Sequence, residues 1–189
     1  MTGGITLDSD HSVVPQTAIH ALDLNTSVWA RVASIETPRQ ESTLIAFADM
    51  LYELGGKIDG SYNNTMATYN VISNEQLECT GAHYILPCEK PGQLSAVLVG
   101  DLIYIHWPKS KEVIRLHPAN GLFKRITECR SIRTNGGFMV IEDDVYLVGG
   151  CIDDKPATSI ERWSITQQKW DSIPFPAEST FHSCVHVMM

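Results

Sequence analysis

Two segments of the chain end in a pair of glycines after a run of β-forming residues. Asp143–Gly150 reads DDVYLVGG and Ala48–Gly56 reads ADMLYELGG, so both have an acidic turn and a Tyr four residues before the end. A third segment, Gly100–Trp107 (GDLIYIHW), keeps the turn and the Tyr but has His106 and Trp107 in place of the glycines. Because the motif recurs, it predicts a fold that is built from repeats.

A second marker gives the period of the repeat. An apolar anchor, usually aromatic, closes each unit, and successive anchors are 48, 46 and 47 residues apart. These anchors are Trp29, Leu77, Phe123 and Trp170. Gly56 and Gly150 are 94 residues apart, which is two periods of 47. A period of this length is typical of propeller blades and also of HEAT and armadillo repeats.

The pattern of apolar residues decides between these two architectures. Helical repeats would need amphipathic runs of about ten residues or more, and the sequence has none. It has instead short β-branched and aromatic segments such as LIYI, FMVI and VYLV, which are separated by polar turns. Short strands without room for crossover helices indicate an antiparallel all-β fold with about four strands in each repeat.

Composition and charge limit the classes of partner. The 189 residues are 43% apolar and 19% charged, which is typical of a globular protein. A net charge of -8 argues against nucleic acid and against an anionic membrane surface as partners. Five cysteines without a CxxC motif, and a start without a basic and apolar leader, favour free thiols and a cytoplasmic location.

The glycines and aromatics together carry a resemblance to a known family. A strand that ends in Gly-Gly, an aromatic 13 residues later and a closing Trp resemble the kelch repeat, as found in the kelch-like (BTB-BACK-kelch) proteins. The matching residues are Gly55, Gly56, Tyr69, Gly149, Gly150, Trp163 and Trp170. The unit 91–132 departs from the pattern, because it lacks the glycines and both large aromatics.

The resemblance implies a kelch-type β-propeller segment over residues 1–189, with about four four-stranded antiparallel blades in an incomplete ring. The units expected from it are 1–38, 39–90, 91–132 and 133–176, followed by the opening strand of a further blade at 177–189. Because such a segment exposes blade faces that a closed propeller buries, we expect the isolated chain to self-associate.

The large aromatics are predicted to be core residues. Blades pack face to face, so the space between them needs large apolar side chains at some positions and close backbone approach at others. On this basis Trp29, Tyr69, Trp163 and Trp170 are expected in the core, and the glycine pairs are expected to let one blade lie against its neighbour. Trp107 stands where glycine is expected, which leaves an exposed contact residue as an alternative to a core position.

The sequence contains no set of residues that predicts catalysis. His182, Cys184 and His186 would share one face of a strand, but the two histidines would be about 14 Å apart, too far to bind one metal ion. The sequence has no GxSxG motif and no phosphate-binding glycine loop. The pairs Asp143-Asp144 and Asp153-Asp154 are typical of turns. We therefore predict a protein that is not an enzyme, with no metal and no cofactor.

Candidate partner-binding residues follow from the resemblance. In kelch proteins, contacts come from loops just after the glycine pair and just before the first strand of a blade. The matching positions here are Lys57, Asp59, Cys151 and Asp153 after the pairs, and Gln40, Glu41, Thr134 and Asn135 before the strands. Several kelch-like proteins hold acidic peptides with arginines at the positions of Glu41 and Asn135. Since neither residue is basic here, a basic or neutral partner segment is expected.

The resemblance also implies a function. The predicted role is a protein–protein interaction module that recognises substrates for a cullin-based ubiquitin ligase. BTB and BACK domains of a longer parent would contact the cullin ligase components. Two alternatives remain open, which are an actin or cytoskeleton-binding kelch protein and a kelch-type propeller enzyme that acts as an oxidase or on sugars. Stoichiometric copper or zinc would favour the enzyme.

Overall fold

Every element assigned in the described part of the chain is a β-strand. The computed structural model describes residues 4–35, 37–72, 76–88 and 91–174. Within these residues no helix is long and apolar enough to cross a membrane. The chain divides into two compact units, Met1–Gly92 and Gln93–Met189.

In the first unit, the residues that the structure describes form one four-stranded antiparallel sheet and three two-stranded sheets. Its strands are β1 (Ile5–Leu7), β2 (Val13–Pro15), β3 (Ala18–Asp23), β4 (Val28–Ser34), β5 (Thr43–Phe47), β6 (Met50–Leu54), β7 (Lys57–Ile58), β8 (Ser61–Tyr62), β9 (Thr65–Ile72) and β10 (Gln76–Ile85). The four-stranded sheet has the order β10-β9-β6-β5, and we call it blade 2. The pairs β1–β2, β3–β4 and β7–β8 form the small sheets.

The described residues of the second unit form two four-stranded antiparallel sheets and one short hairpin. Its strands are β11 (Ser95–Val99), β12 (Leu102–His106), β13 (Val113–His117), β14 (Leu122–Arg125), β15 (Gly137–Ile141), β16 (Asp144–Val148), β17 (Cys151–Ile152), β18 (Lys155–Pro156), β19 (Ser159–Ser164) and β20 (Lys169–Pro174). Blade 3 has the order β11-β12-β13-β14 and blade 4 the order β15-β16-β19-β20. The hairpin is β17–β18.

The prediction of an all-β fold with four-stranded antiparallel blades is confirmed. The strands of the small sheets β1–β2 and β3–β4 fall within residues 1–38, blade 2 within 39–90, blade 3 within 91–132 and blade 4 within 133–176. The predicted strand at 177–189 lies outside the described residues.

Blade 4 packs its aromatic pair against blade 3. Trp163 and Trp170 are cross-strand partners with ring centroids 5.6 Å apart, and both are buried in a cluster that includes Tyr104 and Val113 of blade 3. In the first unit, Tyr69 is buried in the same way against Ile19 of β3. The core positions predicted for Tyr69, Trp163 and Trp170 are therefore confirmed.

Trp29 is not a core residue. It is 54% exposed, and its cross-strand partner Leu22 is also exposed. Leu22 and Trp29 occupy the repeat positions that Trp163 and Trp170 occupy in blade 4. In blade 4 the preceding blade, blade 3, packs over these two side chains. No described blade precedes the β3–β4 sheet, so its aromatic pair lacks that cover. The prediction for Trp29 was wrong because burial at this position depends on the neighbouring blade.

Trp107 is buried, with only 3% of its surface exposed, so the alternative of an exposed contact residue is wrong. The strand register makes His106 equivalent to Leu54, so the expectation that His106 replaces a glycine is also wrong, and Trp107 alone stands at the position of the first glycine, Gly55. In blades 2 and 4 the glycine pair leads into a short hairpin, β7–β8 or β17–β18. In blade 3 the residues after β12 form a turn that leads directly to β13 at Val113. Within its described residues, blade 3 therefore has no counterpart of the bridges that join Gln40 to Lys57 and Thr134 to Cys151 in the other two blades, and an indole side chain is accommodated.

Candidate functional site

The eight predicted contact residues occupy equivalent positions of blade 2 and blade 4, four in each blade. In each blade they belong to a short hairpin after the glycine pair and to the segment that enters the first strand. In blade 2 these are Gln40, Glu41, Lys57 and Asp59; in blade 4 they are Thr134, Asn135, Cys151 and Asp153. We call the first group rim loop A and the second rim loop B.

The structure brings the two halves of each rim loop together through the backbone. Gln40 and Lys57 exchange two hydrogen bonds, with N···O distances of 3.1 and 2.7 Å. Thr134 and Cys151 do the same at 3.0 and 2.8 Å. The two rim loops are therefore built by one scheme, in which a single β-bridge fixes the hairpin to the entering segment.

The second glycine of each pair makes this bridge possible. Gly56 and Gly150 have positive φ angles of 87° and 74°. A Cβ atom on Gly56 would lie 2.8 Å from the carbonyl oxygen of Gln40, and one on Gly150 would lie 2.6 Å from the amide nitrogen of Gly136. Glycine is thus required by conformation and by space.

The purpose predicted for the glycine pairs needs correction. Close backbone approach was expected, and it is present. However, the atoms that approach Gly56 and Gly150 belong to the segment that enters the same blade, at Gln40 and Thr134. The glycines serve the geometry of each rim loop rather than contact with a neighbouring blade.

A buried arginine, which the sequence did not lead us to predict, forms hydrogen bonds to the backbone of each rim loop. Arg39 donates from Nη1 to the carbonyl oxygens of Gly55 at 2.9 Å and Thr65 at 3.3 Å. Arg133 donates from Nη1 to the carbonyl oxygens of Gly149 and Ser159, both at 2.8 Å. The guanidinium groups therefore hold the first glycine of each pair to the strand that follows the hairpin.

A buried glutamate accompanies each arginine, but it comes from a different strand in the two blades. Arg39 lies 3.7 Å from Glu53 of β6, and Arg133 lies 3.5 Å from Glu161 of β19. Glu53 pairs across the sheet with Ala67, whereas Leu147 pairs with Glu161. Glu53–Ala67 and Leu147–Glu161 are therefore equivalent cross-strand pairs, and the carboxylate lies on the first strand of the pair in blade 2 and on the second in blade 4. Both arrangements form an ion pair with the arginine.

Spacing alone contains a signal for these arginines. Arg39 and Arg133 are 94 residues apart, the same separation as Gly56 and Gly150. The position halfway between them is Leu86, which is fully buried. An apolar side chain takes this position in the repeat without the glycine pair, so the arginine accompanies the pair in the two blades that have it.

Rim loop A has an exposed network of charges. Lys57 Nζ lies 2.5 Å from Glu41 Oε1, and the Tyr62 hydroxyl donates to Glu41 Oε2 at 2.6 Å. The hydrogen bond from Lys57, followed by the one from Tyr62, lowers the pKa of Glu41, and the same pair raises the pKa of Lys57. Lys57 Nζ also lies 4.8 Å from the centre of the Tyr62 ring. The positive charge of Lys57 therefore compensates the negative charge of Glu41, and Asp59 gives rim loop A one excess negative charge.

Rim loop B presents different chemistry on the same backbone. Asn135 is exposed and has a positive φ of 55°, as Glu41 has in rim loop A at 57°. Cys151 is a free, half-buried thiol at the position of Lys57. Asp153 and Asp154 are exposed at the tip, and no described residue forms a salt bridge with either.

The tips of both hairpins are two-residue turns with positive φ at both residues, the geometry of a type I′ turn. Asp59 and Gly60 have φ angles of 49° and 76°. Asp153 and Asp154 have φ angles of 50° and 60°. Asp-Gly is a preferred sequence for this turn, but Asp-Asp places two side chains in the left-handed region, where residues other than glycine are strained.

No metal site is found in the described part of the chain, where no three His, Cys, Asp or Glu side chains are close enough to hold an ion. His182, Cys184 and His186 lie outside those residues. Cys129 and His106 are both buried, with Sγ 3.9 Å from Nε2. Burial raises the pKa of Cys129 to about 12 and lowers that of His106 to about 4, so both groups are neutral at pH 7.

Comparisons with known proteins agree with the blade structure. The family model of the Kelch motif matches residues 132–174, which contain blade 4 and rim loop B. The solved structure of YjhT is similar to this chain with a TM-score of 0.74 and 14% sequence identity, over 96% of this chain and 69% of that one. No curated protein matches the chain. The matches and the three four-stranded antiparallel sheets show a kelch-repeat β-propeller fold.

Proposed function

We propose that this kelch-repeat propeller segment is a non-enzymatic protein–protein interaction module that binds its partner with rim loops A and B. The observation that carries the proposal is the tip of rim loop B, where Asp153 and Asp154 are exposed and no described residue forms a salt bridge with either. Rim loop A forms the same type I′ turn with Asp-Gly, so the turn itself does not require the second aspartate. Two exposed carboxylates on a fixed turn are available to a partner.

The framework below the loops supports the same proposal. Binding residues commonly lie on loops that a rigid scaffold positions. Here the β-bridge, the glycine pair and the buried arginine hold each hairpin to its blade, so the exposed tips are presented at a fixed place. A preorganised loop loses little conformational entropy when a partner binds, which favours affinity.

The charges of the rim loops favour a basic or neutral partner segment. In rim loop A, Lys57 compensates Glu41, and Asp59 remains without a compensating charge in the loop. In rim loop B, the tip has two aspartates followed by Lys155. Each rim loop therefore keeps one excess negative charge, in a chain with a net charge of -8. Complementary charge on a partner would speed association more than it would strengthen binding.

The finer role that we propose is substrate recognition for a cullin-based ubiquitin ligase in the cytoplasm. It rests on the resemblance of the glycine pairs and aromatics to those of kelch-like proteins. Contact with the cullin ligase components would belong to BTB and BACK domains of a longer parent. The 189 residues would supply the surface that selects the substrate.

Affinity capture with paired variants tests the interaction. The rim variant combines Asp59→Ala with Asp153→Ala. Its control combines Asp49→Ala with Asp143→Ala, which removes two exposed aspartates from the same blades, at the turns between the first and second strands and therefore at the opposite end. A partner that the wild type and the control retain and the rim variant loses supports the proposal. The same partners at equal yield from all three proteins contradict it.

The ligase role has its own test. A partner that is degraded through this protein should have a longer half-life in cells when cullin-based ligases are inhibited. It should also have a longer half-life when the rim variant replaces the wild-type protein. An unchanged half-life in both cases would contradict the ligase role, and the interaction role would stand on the capture experiment.

A further inference from the structure

A cavity lies between blades 3 and 4 within the second unit, and no residue of its wall belongs to a rim loop. Its volume is about 280 Å³. Blade 3 contributes Arg115, Lys124 and Arg125 to the wall, and blade 4 contributes Trp163 and Gln168. We call this the basic cavity. Three cationic side chains around one cavity are unexpected in a chain with a net charge of -8.

Two of these cations face each other across the sheet. Arg115 of β13 and Lys124 of β14 are direct cross-strand partners. Like charges at directly opposed positions of neighbouring strands destabilise a sheet. The Arg115–Lys124 pair therefore lowers the stability of blade 3.

Blade 4 shows how the same position looks when it serves stability. The pair Leu116–Phe123 in blade 3 corresponds to Trp163–Trp170 in blade 4, so Arg115–Lys124 corresponds to Arg162–Asp171. Arg162 and Asp171 have opposite charges, and the guanidinium donates to the carboxylate at 3.2 Å. In blade 3 a lysine stands where blade 4 has the carboxylate.

The missing carboxylate leaves the cations available to a ligand. Among the described residues, neither Arg115 nor Lys124 forms a salt bridge. Arg125 differs from them, because it pairs with Glu112. A planar guanidinium presents two parallel donors to an oxyanion, and an ammonium adds a compact charge. In blade 4, Asp171 compensates the charge of Arg162. A negatively charged group between Arg115 and Lys124 would compensate the positive charges of blade 3 in the same way.

We propose that the basic cavity binds the oxyanion group of a ligand, a phosphate or a carboxylate, between Arg115 and Lys124. The site is separate from rim loops A and B and does not depend on the function assigned to them. Thr127 and Gln168 add polar groups to the wall of the same cavity. Binding would remove the like-charge repulsion, so the protein should be more stable with the ligand than without it.

The test is a titration of the thermal unfolding midpoint with inorganic phosphate, with acetate and with sodium chloride at equal ionic strength. Lys124→Asp recreates the charge pattern of blade 4, and Lys124→Gln removes the charge alone. Lys109→Asp is the charge-matched control, because Lys109 is an exposed lysine of the same unit that does not line the cavity. Wild type and control should be stabilised saturably by phosphate, beyond the effect of chloride.

Two results together support the site. Phosphate should bind at least about tenfold more weakly to both Lys124 variants than to wild type. Without phosphate, Lys124→Asp should unfold at a higher temperature than wild type, which a purely structural lysine would not show. Stronger stabilisation by phosphate than by acetate assigns a phosphorylated ligand, stronger stabilisation by acetate assigns a carboxylate, and equal stabilisation supports an oxyanion site that accepts both. Equal responses of all four proteins, or a wild-type response no greater than that to chloride, would overturn the proposal.

Discussion

Comparing Gly150→Ala with Gly100→Ala should separate two contributions to the loss of unfolding free energy, the left-handed backbone conformation and the steric clash of the added Cβ atom. Gly150 has a φ of 74°, and an added Cβ would lie 2.6 Å from the amide nitrogen of Gly136. Gly100 in the same unit has a φ of 57°, and no atom lies within 4 Å of its added Cβ. Gly100→Ala therefore carries only the cost of a left-handed alanine, about 1 kcal/mol.

Gly150→Ala carries that cost and also a clash with backbone that no side-chain rotation relieves. To make room, the entering segment must move away, which breaks the two hydrogen bonds between Thr134 and Cys151. At about 1 kcal/mol for each bond, the total loss of unfolding free energy is about 3 kcal/mol or more. Urea denaturation followed by tryptophan fluorescence measures both variants. Equal losses for Gly150→Ala and Gly100→Ala would refute the account of the glycine pair.

Three further predictions follow from burial and charge. Trp170→Ala should lower the unfolding free energy by about 3 to 5 kcal/mol and Trp29→Ala by much less, because Trp170 is 6% exposed and Trp29 54% exposed; equal shifts in urea midpoint would contradict the burial argument. Burial lowers the pKa of His106 from 6.5 to about 4, so the unfolded chain takes up a proton first as pH falls and stability should drop by up to about 3 kcal/mol between pH 6.5 and 4. His106→Leu, which copies Leu54 at the equivalent position of blade 2, should lose that part of the pH dependence in urea titrations, and a profile identical to wild type would rule His106 out. The association rate with a basic partner, measured by stopped flow, should fall as salt rises toward about 0.5 M while the dissociation rate changes less; a salt-independent association rate would remove electrostatic steering.

The repeat allowed much of the fold to be predicted from the sequence. A period of 47 residues, glycine pairs and short β-branched segments led to antiparallel blades, because each of these signals is local and recurs. The burial of Tyr69, Trp163 and Trp170 followed from the same spacing. Trp29 has the same spacing but is exposed. Its burial would require contact with a preceding blade, and the residues around Trp29 give no signal for that contact.

The support of the rim loops was harder to predict. An arginine is rarely buried unless it is paired, and the partner of Arg39 lies 14 residues later at Glu53 whereas that of Arg133 lies 28 residues later at Glu161. Because the carboxylate changes strands between the two blades, no fixed spacing marks the pair. The positions of the rim loops could be predicted from the glycines, but the charge balance in rim loop A could not, because it depends on how Lys57 and Tyr62 meet Glu41.

The most direct test of the proposed interaction is a hydrogen–deuterium exchange footprint of the chain with and without its captured partner. The account predicts slower exchange in the hairpins 57–62 and 151–156 and in the entering segments 39–42 and 133–136. The turns at 48–49 and 142–143, at the opposite end of the same blades, should exchange at the same rate in both samples. Protection confined to those turns, with unchanged exchange in both rim loops, would contradict the claim that the rim loops bind the partner.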